Sequence, residues 1–182
     1  MEFFIVGMSL LIVIFILIYN SIKGKFNEIE NATGGMDTYL KQRYDLIPNL
    51  VESVKQYTRH EKLTLEKITK LRTRAMNPIR GEDIAALNNE ITKNLEGLMI
   101  SVENYPELKS NTNFIQLQET LKEVEENIAA SRRFYNSAVT DFNNSLDMFP
   151  SNIVARLMGM QRREVFEINQ SQRKNRDISD LF

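Results

Sequence analysis

The sequence contains no cysteine, so neither a disulfide framework nor a thiolate metal site can be built from it. It has no tryptophan and one histidine, His60. One histidine cannot supply the two Glu-x-x-His pairs of a di-iron helical bundle, and Tyr57 stands where the glutamate of the pair would be. The stretch "HEKLT" at 60–64 opens like a zinc-protease motif but has no second histidine four residues on. His60 and Glu61 therefore read as a solvent-facing turn. Seven glycines and four prolines suit a helical chain better than a turn-rich β protein, and no Gly-rich phosphate loop follows a strand-like run. Neither sign of charge dominates: 23 basic residues face 24 acidic ones. That balance argues against a nucleic-acid binder, which needs a basic face to neutralise phosphates. No cofactor, no metal and no catalytic residue is expected.

One long hydrophobic run is present, "FFIVGMSLLIVIFILIY" at 3–19. Its 17 residues are near the short end of what a helix needs to cross about 30 Å of hydrocarbon. A secretory signal peptide would want a basic n-region and a small-x-small cleavage site, and neither flank provides one. The run is read as an uncleaved single-span anchor. Lys23 and Lys25 follow it and nothing basic precedes it, which places the N-terminus outside and the rest in the cytoplasm.

The remainder reads as all-α. Phe114, Leu121, Ile128, Tyr135 and Phe142 recur every seven residues, and Leu117, Val124, Ser131, Ala138 and Ser145 fill the offset three later. Such an a/d repeat predicts a long coiled-coil-like helix packed at about 20° to its neighbours. Asn111 or Asn113 is its natural N-cap and Pro150 lies beyond its end. A second stripe, Ile29, Met36, Leu40, Ile47, Val51 and Val54, keeps one register through Pro48. Thr58 with Glu61 has the form of a capping box opening a helix with Leu65, Ile68 and Leu71 inward. "MNPIRG" at 76–81 stops it, and Ile84, Leu87, Ile91, Leu95, Leu98 and Val102 mark the next. Four helices with short connections predict an antiparallel four-helix bundle.

The expected organisation is an anchor at 1–22, the bundle at 23–149, a membrane-proximal amphipathic or capping segment at 150–168 and a polar, disordered tail at 169–182. Four helices return the chain to the membrane end. The segment after Phe149 then either plugs the open end of the core or lies in the interface, its arginines against anionic headgroups. Lys23, Lys25, Arg156, Arg162 and Arg163 are the candidate lipid contacts. Glu119, Glu123, Glu125 and Glu126 read as a solvated face with Lys122 as partner.

"KQRYDLIPNLVESV" at 41–54 poses the main local question. If the helix continues through Pro48, the proline lacks an N–H and frees the carbonyl of Tyr44, at a cost of about 3 kcal/mol or more. A buried carbonyl then needs another donor. Arg132, Arg133 and Asn136 on the fourth helix are the expected donors, with Asp45 and Asn49 completing a cluster that also takes in Arg43. The cluster would fix helix register, or mark a hinge or partner groove. The alternative is a turn at Tyr44–Leu46 with Asp45 as N-cap.

These segments resemble a known family. "YNSI", "KQRYDLIPNLVESVKQYTRHEKLTLEKI", "YPELKSNTNFIQLQETLKEVEENIAASRRFYNSAVTDFNNSL" and "FPSNIVARLMG" are similar to the LemA family of bacterial membrane proteins, from Tyr19 to Phe166. The resemblance implies an N-terminal anchor, a cytoplasmic four-helix bundle and a bacterial source, and it does not imply an enzymatic activity. One branch of that family helps build magnetosome organelles, which suggests scaffolding. The tail departs from the family pattern. The resulting expectation is a signal-anchored, non-enzymatic interaction or scaffold module at the bacterial cytoplasmic membrane. Its partners would be envelope or protease components, or further copies of itself. The alternative is an accessory or regulatory subunit of a membrane protease or quality-control system.

Overall fold

The computed structural model describes residues 1–58, 61–77 and 82–166. Among them every regular element is a helix. Helix α1 spans Glu2–Tyr57, α2 Lys62–Ala75, α3 Glu82–Val102, α4 Pro106–Lys109, α5 Thr112–Asp147 and α6 Ser151–Leu157. His60 and the tail at 169–182 lie outside the described residues.

Helix α1 carries the apolar run and the second stripe in one piece, and Pro48 lies inside it. Thr58 closes it: its Oγ1 donates to the carbonyl of Val54 at 3.0 Å. The capping box is overturned, because α2 begins at Lys62 with Glu61 itself at the N-cap position, which leaves Thr58 three residues too early to cap it. Glu61 precedes α2 without any side-chain cap bond. Helix α5 is capped as expected, with the Phe114 N–H donating to Asn111 Oδ1 at 3.1 Å. Pro106 opens α4 at a position where a missing N–H costs nothing.

The packing divides into two compact units, Met1–Asp37 with Ala129–Phe166, and Thr38–Ile128. In the first, Ile22 and Ile29 of α1, Ala138, Val139 and Phe142 of α5, and Val154 and Ala155 of α6 form a buried cluster. Ile18, Phe26, Tyr135, Leu146, Met158 and Met160 pack against it. Phe26 and Phe142 meet edge to face at 5.8 Å. Helix α6 ends in a Schellman turn. The Met160 N–H reaches the Ala155 carbonyl and the Gly159 N–H reaches Arg156, both at 3.1 Å. Gly159 has φ +65°, which only a residue without Cβ adopts cheaply, and the turn sends residues 160–166 away from α6.

In the second unit, α2 packs on α3. Leu40, Ile47, Leu50 and Val54 of α1 are buried, with Leu65, Ile68 and Leu71 of α2 and Leu87, Ile91, Leu95, Leu98 and Val102 of α3. Helix α5 adds Phe114, Leu121, Val124 and Ile128.

Candidate functional site

The most concentrated polar chemistry lies around Arg43, the largest fully buried side chain in the described residues. The stripe puts it there: Ile22, Ile29, Met36, Arg43 and Leu50 are spaced by seven, and all five are buried. A guanidinium at such a position must be paired and hydrogen-bonded, because an isolated buried charge is costly. Arg43 Nη1 donates to Thr92 Oγ1 and to Glu125 Oε1, each at 2.9 Å. Nη2 donates to Asn88 Oδ1, which also accepts the Tyr44 hydroxyl at 2.6 Å. The Thr92 hydroxyl in turn donates a hydrogen bond to Glu125 Oε2 at 3.3 Å. One side chain of α1 thus bonds to α3 and α5 together. Glu125 is a correction: it is not part of a solvated acidic face but the counter-ion of Arg43, with 29% of its side chain exposed.

Beside this hub lies the carbonyl that Pro48 leaves free. Arg72 of α2 fills the gap, its Nε–H donating to the Tyr44 carbonyl at 2.6 Å. The donor expected from Arg132, Arg133 or Asn136 comes instead from a different helix. Pro48 and Asn49 are exposed, and Asp45 pairs with Lys41 one turn away at 2.8 Å, so none of the three enters a buried network. Arg133 is exposed and Arg132 half-buried.

Asn136 has another task. Its amide clasps the backbone of Phe166, accepting from the N–H at 2.8 Å and donating to the carbonyl at 3.0 Å. Asn143, seven residues along α5, does the same to Arg163, accepting at 3.0 Å and donating at 2.9 Å. Seven helical residues rise about 10.5 Å, and three extended residues cover about 10 Å, so the two amides match a strap running along the helix. Tyr135 adds a bond from its hydroxyl to the Glu164 carbonyl at 3.2 Å and an edge-to-face contact with Phe166 at 5.1 Å. Burial pushes the Tyr135 phenol above its ordinary 10.0; Arg163 opposes the shift and Glu164 adds to it.

The candidate lipid contacts divide. Arg162 pairs with Asp147, and Arg163 and Lys23 lie over the Phe26 ring at 5.4 and 4.6 Å. Lys25 donates to the Asp141 carbonyl at 3.3 Å. Arg156, in the last turn of α6, is exposed. Among the described residues no group of three or more His, Asp or Glu side chains is placed to hold a metal ion.

Asn88, Thr92, Arg72 and Asn143 escaped the sequence reading. A usable signal existed for the hub, since the seven-residue row that holds Ile29 and Met36 continues into Arg43.

Comparison with known proteins supplies a second line. The sequence profile of the LemA family matches residues 32–179. Protein LemA of Metamycoplasma hominis is 29% identical over 184 residues, covering 98% of this chain and 84% of that protein. Magnetosome proteins MamQ 1 and MamQ 2 of Paramagnetospirillum magneticum are each 34% identical over 70 residues, 38% of this chain and 26% of theirs.

Proposed function

The chain belongs to the LemA family, and from that premise we propose that it is a membrane-anchored, non-enzymatic interaction or scaffold module. One observation carries the reading. Every large apolar side chain from Phe3 to Leu17 is exposed, yet the helix that bears them continues unbroken into the buried row from Ile22 to Val54. A contiguous apolar surface of that size on a soluble molecule would aggregate, whereas lipid covers it. The same helix then ties the folded residues to the bilayer.

In this reading α1, α2, α3 and α5 form an antiparallel four-helix bundle, for which the short connections and the bonds radiating from Arg43 are the support. Lys23 and Lys25, just after the apolar run, favour a cytoplasmic bundle and an external N-terminus. The hub fixes helix register, the best-attested use of a buried polar group at a heptad core position. Relatives that are magnetosome proteins are compatible with an organising task.

Crosslinking of the full chain in intact bacteria, followed by mass spectrometry of the membrane fraction, tests the function. Self-capture or capture of several envelope proteins supports the module. Stoichiometric capture of one protease replaces it with the accessory-subunit reading.

A further inference from the structure

Helix α6 has apolar residues on both of its faces. Val154 and Ala155 are buried in the cluster with Ile22, and Met158 packs against it. Ile153 and Leu157, one turn apart, take the other side at 53% and 73% exposure, and Met148 and Phe149, just before the helix, are exposed at 62% and 80%. A surface helix over a protein core shows solvent a polar face, whereas two of the three exposed residues of this one, Ile153 and Leu157, are apolar and the third is Arg156.

Its position says what covers it. The cluster that holds the inner face includes Ile18, which belongs to the apolar run itself, and Ile22 one turn later. The run from 3 to 19 is about 25 Å long as a helix, roughly 5 Å short of a typical hydrocarbon layer. The missing length corresponds to the level of Ile18–Ile22, where α6 is packed. Arg156 projects from the last turn beside the apolar residues, a cation at the depth where headgroup phosphates would lie.

We propose that Met148, Phe149, Ile153 and Leu157 are inserted into the lipid interface, so that α6 is a second, peripheral membrane contact beside the spanning helix. The inference rests on the anchor reading of residues 3–19. The occupant is lipid, and the contact completes on one side the hydrocarbon coverage that a short span leaves open. It fixes the rotation of α1 about its own axis, because α6 packs against one side of that helix.

The absence of native tryptophan makes the test clean. Full-length Phe149→Trp and, separately, Leu157→Trp are reconstituted into phosphatidylcholine–phosphatidylglycerol vesicles with bromines at defined acyl-chain depths. Leu63→Trp, on an exposed α2 residue, is the reference. Helical circular dichroism confirms that each variant is folded. At positions 149 and 157 the expected result is blue-shifted emission, quenched most strongly by bromines nearest the headgroups. Leu63→Trp is expected to show water-like, unquenched emission. Water-like emission at both positions 149 and 157 in protein that resists alkaline carbonate extraction overturns the inference and leaves the anchor standing. Blue-shifted emission without quenching also overturns it, since the cover is then protein. Release of the full chain by carbonate removes the anchor and the inference together.

Discussion

The guanidinium Nε–H of Arg72 donates to the backbone carbonyl of Tyr44 at 2.6 Å, the acceptor that Pro48 cannot serve from within α1. A defect in one helix is thereby repaired by a side chain of the next. Arg72→Met should destabilise the protein by about 1–3 kcal/mol, the cost of stripping a partly buried carbonyl of its donor. Pro48→Ala restores an N–H within the helix. Alone it should stabilise by less than the roughly 3 kcal/mol of an unrepaired interior proline, because Arg72 already offsets part of that cost. In the double variant the Arg72 penalty should shrink by about 1 kcal/mol or more, measured as a double-mutant cycle in thermal unfolding. Additive effects would mean that the Arg72 bond does not offset the loss at Pro48.

The Arg43 hub should respond asymmetrically. Glu125→Ala leaves a fully buried guanidinium without its counter-ion, a change worth up to about 3–5 kcal/mol in a closed interior, and less here because Glu125 is part-exposed. Arg43→Met removes the charge and keeps the volume. The groups it abandons include a carboxylate that water can reach, so its cost should be smaller. Denaturant unfolding of the two variants reads the order directly.

The strap at 160–166 is held by backbone bonds to Asn143 and Asn136 in addition to the contacts of its own side chains, so its attachment should be sensitive to those two amides. Asn143→Leu unpairs the N–H and carbonyl of Arg163, at about 1–3 kcal/mol for the contact. Limited trypsinolysis after Arg162 and Arg163 should accelerate in Asn143→Leu and stay slow in Arg162→Lys, which keeps a cleavage site and the backbone bonds.

Tyr135 gives the strap an alkaline dependence. Its phenol is raised above 10.0 in the folded protein, mainly by burial, so the fold favours the neutral form. Below pH 10 the group is neutral in folded and unfolded chains alike, and stability does not vary with its titration. Above that value the unfolded phenol ionises first, and stability falls until the folded phenol ionises too. Tyr135→Phe should abolish this slope in unfolding experiments at rising pH, and ultraviolet titration should show one tyrosine ionising late.

The seven-residue rows were the legible part of this molecule. All ten a and d residues of α5 are buried or half-buried, as are the inward residues read for α1 and α2. Apolar periodicity is a local signal and the core obeys it. Partner choice among polar side chains is not local. The need for a donor at Tyr44 follows from the covalent structure of proline, but which helix supplies it depends on how the helices approach. Glu125 has the composition and spacing of its solvated neighbours Glu123 and Glu126, and differs from them by the buried arginine it faces. The amide clasps of Asn136 and Asn143 left no mark beyond their own seven-residue spacing.

The most direct test of the account is the placement of its two ends across the membrane. The native chain has no thiol, so Glu2→Cys and Leu63→Cys each introduce a single one, at exposed residues of the N-terminus and of α2. An anchor that stays attached, with the helical body in the cytoplasm, predicts that a membrane-impermeant maleimide labels the Glu2→Cys variant in intact cells. The Leu63→Cys variant is then labelled only after the membrane is opened. Labelling of Leu63→Cys in intact cells, or a mature chain that has lost its second residue, would contradict it.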